Sequence, residues 1–339
     1  MEKTLEISIL IPTLNAASVL GKCLSSIATQ DYPKNKIEII IADGGSTDKT
    51  LETAKKYGAK IYQNPLKTGE AGKAVALRQA QGKLVALIDS DNILPDNNWL
   101  KRMVEPFKDP EIMGSEPWEF TYRKSDGFID RYCALMGMND PLCYFLGNYD
   151  RRNILAGKWT GLPVKQEDKD GWIKATLKPP AFPTIGANGT ILRREILAKS
   201  GLVGDYLFDI DIMAVLAAKN PVKFAKVKIG IAHLFCGSDI EKFIRKQSRR
   251  VNDYLCYQKT GVRQYPWQQQ NKLGLLKFIL SCVTIAPLIY QSLKGYLKKP
   301  DFAWFFHPLA CWLTLWIYGT QIFLAKFRLP TAERKEWRQ

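Results

Sequence analysis

Two aspartates separated by one residue, Asp89 and Asp91, follow directly after the apolar stretch 84–88. A short aliphatic stretch of this kind predicts a buried β-strand, and the chain turns where the strand ends. Two carboxylates at such a turn can both address one divalent cation, and hard oxygen ligands favour Mg²⁺ or Mn²⁺, which bridge phosphate oxygens. A pair of solvated acidic residues in a surface turn is the alternative interpretation.

The elements that would position these aspartates alternate regularly over the first 110 residues. The predicted strands are 7–11, 37–42, 59–62 and 84–88, and the predicted helices are 16–29, 47–57, 71–81 and 99–107. This alternation predicts an α/β fold in which helices cover both faces of a parallel sheet. Ligands of such sheets bind beyond the carboxyl ends of the strands, here residues 12–15, 43–48 and 89–92.

Patterning is weaker further along the chain. Residues 111–182 are rich in aromatic and turn residues and show no dependable period, which fits an excursion over a binding cleft. Helices are then predicted at 193–199, 208–218 and 239–257, with a strand at 222–227. The last of these helices is strongly basic.

Two long apolar runs end the chain. Residues 278–293 and 302–325 contain no charged residue, and 273–276 extend the first run around Lys277. Because about 20 apolar residues cross a bilayer core, the second run is long enough alone and the first is borderline. Pro287, His307 and Pro308 leave re-entrant or interfacial helices open, and two buried helices of a soluble bundle are a further alternative.

An ordered set of segments carries a resemblance to a known family. The segments are ISILIPTLN at 7–15, IIIADGGSTD at 39–48, GKA at 72–74, LIDSD at 87–91, IGANGT at 185–190, FDID at 208–211, IAHLF at 231–235 and KQSRR at 246–250. Together they closely resemble family 2 glycosyltransferases, which have the GT-A fold and hold an NDP-sugar with a divalent metal. The resemblance implies an inverting, metal-dependent glycosyltransferase.

The resemblance also implies roles for particular residues. The nucleotide-sugar would be bound by Pro12, Thr13, Asn15, Asp43, Lys73, Asp89, Ser90, Asp91 and Arg250. Mg²⁺ or Mn²⁺ would be held by Asp91, Asp89 and His233. Asp209 would be the catalytic base, with Asp211 as the fallback. The acceptor side would be formed by Gly186, Asn188, Gly189, Asp211 and Gln247.

Three positions depart from the family pattern, and several residues have a second interpretation. Ala16 and Phe208 replace acidic residues that are common in the family, and Val251 replaces a tryptophan. Carboxylates at 209 and 211 could simply stabilise a helix N-terminus. The lone His233 could be structural. The basic stripe at 245, 246, 249 and 250 could neutralise a departing diphosphate or face anionic lipid.

The distribution of charge favours a membrane over nucleic acid as the partner of the basic region. The chain has 49 basic and 33 acidic residues, a net charge of +16, of which residues 241–339 contribute +12 around the apolar runs. Residues 1–240 contribute only +4. Lys326, Arg328, Arg334, Lys335 and Arg338 follow the second run and favour a cytosolic C-terminus. The start of the chain is too acidic, and its apolar run too short, for a signal peptide, so the catalytic domain is expected to face the cytosol.

Other classes of protein fit the sequence less well. The turn after the first strand lacks the glycines that a dinucleotide dehydrogenase needs. Seven scattered cysteines without a CxxC pair, and only two histidines, make a zinc site or a disulfide framework improbable. The predicted organisation is a GT-A domain at 1–262, with a nucleotide-binding half at 1–110 and an acceptor-side half at 111–262. The remaining residues, 263–339, are predicted to contain membrane-associated helices at about 273–293 and 302–325, followed by a basic tail.

The predicted activity is transfer of a sugar to a membrane-associated acceptor. A membrane-held C-terminal region suggests a polyprenyl phosphate or a lipid-linked glycan. Extension of a polysaccharide is the alternative acceptor chemistry, and a catalytically silent, nucleotide-sugar-binding membrane scaffold is the alternative class.

Overall fold

The computed structural model describes residues 5–199, 204–260, 263–266 and 271–327. Within these ranges the strands are β1 (Ile7–Thr13), β2 (Ile37–Asp43), β3 (Lys60–Gln63), β4 (Leu84–Leu87), β5 (Asn92–Ile93), β6 (Ile112–Phe120), β7 (Lys165–Asp168), β8 (Trp172–Leu177), β9 (Thr190–Arg193) and β10 (Val222–His233). The helices are α1 (Ala17–Ala28), α2 (Thr50–Lys56), α3 (Gly69–Gln79), α4 (Trp99–Val104), α5 (Phe128–Met136), α6 (Leu142–Leu146), α7 (Arg194–Lys199), α8 (Asp209–Lys219), α9 (Ile240–Thr260), α10 (Lys272–Thr284), α11 (Ala286–Lys298) and α12 (His307–Leu324).

The strands form one mixed sheet in the order β3-β2-β1-β4-β9-β6-β10-β8-β7, with β5 paired to β10. The first four strands in this order are parallel, which confirms the α/β arrangement predicted for the first 110 residues. β9 then runs antiparallel between β4 and β6, so the sheet as a whole is not parallel. β6 and β10 restore one parallel pair beyond it.

Apolar side chains cover both faces of the parallel strands. Leu10 and Ile40 belong to a cluster on one face, and Ile9, Ile11 and Ile41 belong to a cluster on the other. Successive side chains of a strand point to opposite faces, so a strand buried on both sides needs apolar residues at every position. This requirement is why β1 and β2 are nearly continuous aliphatic runs.

Residues 111–182 are more regular than their sequence suggests. They contain β6, α5, α6, β7 and β8, where no dependable period was expected. The pattern of β6 is obscured because it buries Ser115 and Glu116 beside its apolar residues.

The first apolar run near the C-terminus is broken into two helices. α10 and α11 meet at an angle of 94° around Ile285, which has a φ of 61°. Pro287 lies in the first turn of α11 and has no N–H with which to continue α10. Together the two helices are long and apolar enough to cross a bilayer, but they are bent where they meet. The structure therefore agrees with the re-entrant or interfacial geometry that Pro287 left open.

The second run is not a single long helix. Residues Phe302–Phe306 form a 3₁₀ turn before α12, which buries one face including Cys311 and Thr314. Within the described ranges, no single helix is both long and apolar enough to cross a bilayer. The uncharged run 302–325, which by length could cross a bilayer alone, thus contains a helix of 18 residues preceded by a 3₁₀ turn. Of the basic tail, Lys326 is described, and Arg328, Arg334, Lys335 and Arg338 lie outside the described residues.

The C-terminal helices share a core with the preceding part of the chain. Trp304 and Phe306 pack in one cluster with Tyr132 and Met136 of α5. At the edge of this cluster Asp301 accepts a hydrogen bond from Arg131 at 3.0 Å and another from the hydroxyl of Tyr122. The C-terminal helices are therefore packed onto the α/β part, across the predicted boundary at residue 262.

Contact between α11 and the 3₁₀ turn depends on a glycine. A Cβ atom added to Gly295 would lie 2.4 Å from the ring of Trp304, which is fully buried. We expect Gly295→Ala to lower the free energy of unfolding by about 1–3 kcal/mol, because the ring has no space to move. Denaturant unfolding in detergent measures this change.

Gly319→Ala in α12 is the matched control. A Cβ atom there meets nothing within 4 Å. Alanine is the better helix former, so this variant should raise stability by about 0.5–1 kcal/mol. Equal effects of the two substitutions would contradict the packing described for Gly295.

Candidate active site

The turn after β2 is organised by the carboxylate of Asp43. Thr13 and Asp43 are partners at the ends of β1 and β2, and the Thr13 hydroxyl donates to Asp43 at 2.8 Å. The carboxylate also accepts the backbone N–H groups of Gly45 and Ser46 at 2.9 and 2.8 Å and the Ser46 hydroxyl at 2.6 Å. Burial raises the pKa of Asp43, but these hydrogen bonds outweigh burial and hold the pKa below its ordinary value. Asp43 is thus a fixed anion at the edge of the sheet.

Asn15 joins this turn to the one after β1. Its backbone N–H donates to the hydroxyl of Ser46 at 2.8 Å, and its side-chain oxygen accepts the N–H of Thr47 at 2.9 Å. Its φ of 48° lies in the left-handed region, which asparagine tolerates better than most residues. Pro12 lies under α3, where a Cβ on Gly72 would come within 2.7 Å of it. Four residues predicted to bind the nucleotide-sugar therefore lie together: Pro12, Thr13, Asn15 and Asp43.

A buried ion pair joins α3 to the first residue of α8. The ammonium of Lys73 lies 2.9 Å from Oδ2 of Asp209, with side-chain exposures of 8% and 18%. Burial raises the pKa of Asp209, but the charge and hydrogen bond of Lys73, and then the charge of Arg263, lower it below its ordinary value. Gly186 faces this carboxylate, because a Cβ added there would lie 3.6 Å from Oδ2. Asp209 is therefore an anion at neutral pH with a small residue in front of it.

The turn after β4 is held by Asn92. Its side-chain oxygen accepts the N–H of Asp89 at 3.0 Å, and its own N–H donates to the Asp89 carbonyl at 2.9 Å. The Asn92 amide group also donates to Oδ1 of Asn188 at 2.9 Å. One buried side chain therefore links the turn that contains Asp89, Ser90 and Asp91 to the predicted acceptor loop.

Asp91 faces two basic side chains. Nε2 of His233 lies 3.5 Å from its Oδ1, and the ammonium of Lys246 lies 3.6 Å from its Oδ2. Burial raises the pKa of Asp91, but His233 and then Lys246 and Lys242 outweigh it, so the pKa is lowered. The strand pair β5–β10 brings them together, since His233 is the register partner of Asn92.

The chemistry of this turn fits a divalent cation. Oδ1 of Asp91 is buried without a hydrogen-bond partner, and it is the oxygen that faces His233. The pKa of Asp89 is raised, chiefly by burial and further by the negative charge of Asp91, although the charge of Lys73 opposes the rise. A bound cation would offset the repulsion between the two carboxylates. Among the described residues there is no group of three or more acidic, histidine or cysteine side chains arranged around one ion. Asp91 and His233 are thus the residues that would hold such an ion, and Mg²⁺ commonly needs only one or two protein ligands.

Gln247 and Arg250 of α9 contact Asn139 and Asp140 and not the turn that contains Asp91. Gln247 donates to the carbonyl of Asn139 at 2.8 Å and accepts from Arg250 at 2.5 Å. Arg250 lies 3.8 Å from Asp140, which also accepts the hydroxyl of Tyr318 at 2.7 Å. These residues join α9 to α12. The basic residue of this helix that lies beside Asp91 is Lys246, which was predicted only as part of the basic stripe.

Asp211 is fully engaged by the segment that follows α9. Its carboxylate accepts bonds from Nε and Nη2 of Arg263 at 2.9–3.0 Å and from the N–H of Gln264 at 2.7 Å. Its side chain is 1% exposed. Asp209, two residues earlier, is the more exposed of the two carboxylates.

Three charged side chains are buried beneath the acceptor loop. Glu116 pairs with Arg151 and with Lys226, whose ammonium also donates to the carbonyl of Asp150. Arg151 donates through Nη2 to the carbonyl of Asn188 at 2.8 Å. The next residue of the loop, Gly189, has a φ of 84°, and a Cβ there would lie 2.8–3.0 Å from three neighbouring side chains. The loop that contains Gly186, Asn188 and Gly189 is therefore held by the hydrogen bond from Arg151 and by close packing around Gly189.

The first 145 residues match a known family. A family model described as glycosyl transferase family 2 matches residues 8–145, which contain β1 to β4 and all of the strand-end turns described above. Over these residues the chain matches glycosyl transferase family 2. The resemblance found in the sequence motifs is confirmed.

Several proteins are similar to this chain over parts of their length. Glycosyltransferase AglE of Haloferax volcanii is 29% identical over 169 residues, 48% of this chain and 53% of its own. A dolichyl N-acetyl-alpha-D-glucosaminyl phosphate 3-beta-D-2,3-diacetamido-2,3-dideoxy-beta-D-glucuronosyltransferase of Methanococcus voltae is 34% identical over 118 residues, 33% of this chain and 36% of its own. The chain therefore spans about half the length of the first of these relatives and a third of the second.

A solved structure supports the GT-A-like fold across nearly the whole chain. The mannosyltransferase PcManGT from Pyrobaculum calidifontis, in complex with GDP-Man and Mn²⁺, is 15% identical with a TM-score of 0.53. The alignment covers 94% of this chain and 89% of that one.

Three residues at the site were not singled out from the sequence. Asn92 could have been found, because it directly follows the aspartate pair at a strand end. Arg151 and Arg263 carry no local signal, since each reaches its partner only through the tertiary fold.

The pair between Arg263 and Asp211 should contribute strongly to stability. Removing one partner of a buried ion pair leaves an uncompensated charge, which costs about 3–5 kcal/mol. We therefore expect Arg263→Met to lower the free energy of unfolding by that amount, and Asp211→Asn added to it to recover part of the loss. Chemical denaturation measures both.

Arg152→Met is the matched control. Arg152 lies 3.4 Å from Glu119, and both side chains are largely exposed. Exposed pairs contribute less than about 1 kcal/mol. A loss in Arg263→Met as small as in this control would show that Asp211 does not depend on its arginine.

Proposed function

We propose that this protein transfers a sugar, with inversion, from an NDP-sugar to a lipid-linked acceptor at a membrane surface. The observation that carries the proposal is the convergence of three anionic side chains at one edge of the sheet. Asp43 lies at the end of β2, Asp91 follows β4, and Asp209 is joined to this edge through Lys73. The match of residues 8–145 to the family model supports the reaction class, and the similar proteins named above act in glycosyl transfer by their own descriptions.

Each carboxylate has a separate part in the proposed reaction. Asp43 and Asn15 bind the nucleotide at the ends of β1 and β2. Asp91 and His233 would hold Mg²⁺ or Mn²⁺, which when bound neutralises charge on the leaving diphosphate. Lys246, 3.6 Å from Asp91, is placed to contact the same phosphates as a further cation. Asp89 as a metal ligand, and Ser90 and Arg250 as donor contacts, stay predictions.

Asp209 is the proposed base. It takes the proton of an attacking hydroxyl, which must lie within about 3 Å of its carboxylate. The neighbouring Gly186 leaves room in front of it. Lys73 keeps Asp209 ionised and oriented, while Asp211 is held by Arg263 and leaves Asp209 as the carboxylate available to the acceptor. An acceptor that attacks through a phosphate is already anionic and would need Asp209 only for orientation.

The membrane part of the proposal rests on the surface of the C-terminal helices. Of 23 large hydrophobic side chains that are exposed in the described residues, 20 lie at or after Leu273. Isolated soluble proteins seldom expose so large an apolar surface. Six lysines accompany it, at positions 272, 277, 294, 298, 299 and 326. The described positions 271–327 contain one acidic residue, Asp301, whose side chain is buried and pairs with Arg131.

This combination favours anionic lipid as the partner of the helices. An apolar face with a basic margin lies in the headgroup region of a bilayer, and each lysine near an anionic surface contributes about 1 kcal/mol. The bent geometry of α10 and α11 fits helices that lie in the interface. The cytosolic orientation of the catalytic part remains a proposal from the sequence.

Substitution of Asp91 tests the proposed activity. We expect Asp91→Asn to abolish Mn²⁺-dependent hydrolysis of NDP-sugars by the purified protein, because the carboxylate that faces His233 is lost. Binding of Mn²⁺ itself, followed by electron paramagnetic resonance, should weaken in parallel. Asp96→Asn, in the exposed turn that follows, is the control. Full metal-dependent turnover in Asp91→Asn would refute the assignment.

Substitution of Lys73 tests the base. Because Lys73 lowers the pKa of Asp209, hydrolysis should persist to low pH in the wild type and decline only as pH falls through that lowered value. In Lys73→Met the pKa should rise, so the acidic limb of kcat/KM should move upward by about 1–2 pH units.

Lys73→Arg retains the charge and should keep the limb near its original position. If Lys73 contacted only the donor diphosphate, the donor KM would increase in Lys73→Met while the acidic limb stayed unchanged. That outcome would remove Lys73 from the role proposed for it beside Asp209.

A further inference from the structure

A cavity of about 780 Å³ lies between the α/β part and the C-terminal helices. One wall is formed by α6 and the loop after it, including Tyr144, Tyr149 and Lys158. The other wall is formed by α10 and α11, including Lys277 and Leu280. No role in sugar transfer assigned above involves this cavity.

The lining of the cavity combines apolar surface with positive charge. Aromatic and aliphatic side chains make up most of the wall formed by α6 and the loop after it, whereas the wall formed by α10 and α11 mixes Leu280 and Pro287 with hydroxyl and amide groups. One lysine lies on each wall, Lys158 and Lys277. None of the described residues that line the cavity is acidic. Such a lining suits a ligand with an apolar body and an anionic end, since two ammonium groups can bind one phosphate from opposite sides.

The cavity opens onto the exposed apolar surface of the C-terminal helices. Leu280 lines it and is itself 52% exposed, and the neighbouring Val283 is 70% exposed. A hydrocarbon chain could therefore pass from a bilayer along Leu280 into the cavity.

The inner wall of the cavity continues into the acceptor loop. Tyr149 lies two residues before Arg151, which donates to the carbonyl of Asn188 at 2.8 Å. One residue earlier, Asn148 accepts the N–H of Thr184 at 2.8 Å. The segment 147–151 thus has one side in the cavity and the other against the loop that faces Asp209.

We propose that this cavity binds the phosphorylated end of a single-chain lipid, the carrier part of the acceptor. The inference rests on the proposed function and adds the place where the acceptor enters. Lys158 and Lys277 bind the phosphate, the aromatic wall contacts the first part of the chain, and the rest of the chain remains in the bilayer. The group attached to the phosphate then lies on the side of the loop 186–189.

Binding of the full chain to vesicles tests this assignment. Phosphatidylcholine vesicles contain either a small mole fraction of polyprenyl phosphate or phosphatidylglycerol that gives the same surface charge. We expect the wild type to bind the polyprenyl phosphate vesicles about tenfold more tightly, because two charge-assisted contacts are added. Equal binding to the two vesicles would mean that ordinary anionic headgroups are the ligand, and would overturn the proposal.

Two sets of variants locate the preference. Lys158→Gln with Lys277→Gln should abolish it, whereas Lys272→Gln with Lys294→Gln removes the same charge outside the cavity lining and should retain it. Ala156→Trp, at an exposed lining position, should also weaken the preference by filling the cavity. A preference that survives both cavity variants would overturn the assignment.

Donor hydrolysis with water as acceptor, measured on the same wild-type preparation, separates this inference from the proposed function. Metal-dependent hydrolysis without lipid preference would overturn the cavity assignment alone. A lipid preference without hydrolysis would support the cavity and count against sugar transfer.

Discussion

The parallel pairing of β1 with β2 and β4 is the constraint on which the site depends. Parallel strands end at the same edge, so the turns after all three strands must meet there, whatever the residues in them are. The chain places Thr13, Asp43 and the aspartate pair in those turns. Backbone N–H groups and hydroxyls then fix Asp43, and Asn92 fixes the aspartate turn. The polar groups are therefore oriented before any ligand arrives, which reduces the entropy lost on binding.

The C-terminal helices are attached to the site through polar and apolar contacts together. Tyr318 of α12 and Arg250 of α9 both address Asp140, and Gln247 connects them to the backbone at Asn139. The side-chain amide of Asn139 in turn lies 3.3 Å from Nδ1 of His233. A chain of contacts therefore runs from a helix with an exposed apolar face to a proposed metal ligand. This arrangement allows the exposed apolar face of α12 and the site to hold a fixed relative position.

The parts of the fold that could be predicted are those set by local pattern. Strands buried on both faces are aliphatic throughout, so β1, β2 and β4 were recognisable, and turn residues at their ends followed. β6 was not recognisable, because its buried Glu116 is neutralised only by Arg151 and Lys226, which are distant in sequence. The broken C-terminal run was also missed in part, because composition gives apolar length but not the positive φ at Ile285. The 3₁₀ turn before α12 is likewise not a matter of composition, since its Trp304 packs in a cluster with distant residues of α5. The ion pair of Asp209 with Lys73 likewise appears only once α3 and α8 are packed together.

The position of β9 and β10 in the sheet has a consequence for how this chain acquires its structure during synthesis. Residues 8–145 include β6, but β6 reaches β4 only through β9, and its other edge is covered by β10. Lys226, 110 positions after Glu116, supplies the second cation to that buried carboxylate. A nascent chain that stops before β10 would thus expose two strand edges and leave Glu116 short of a partner. Residues 8–145 accordingly do not complete this sheet by themselves, and the edge of β6 stays open until β10 has been translated.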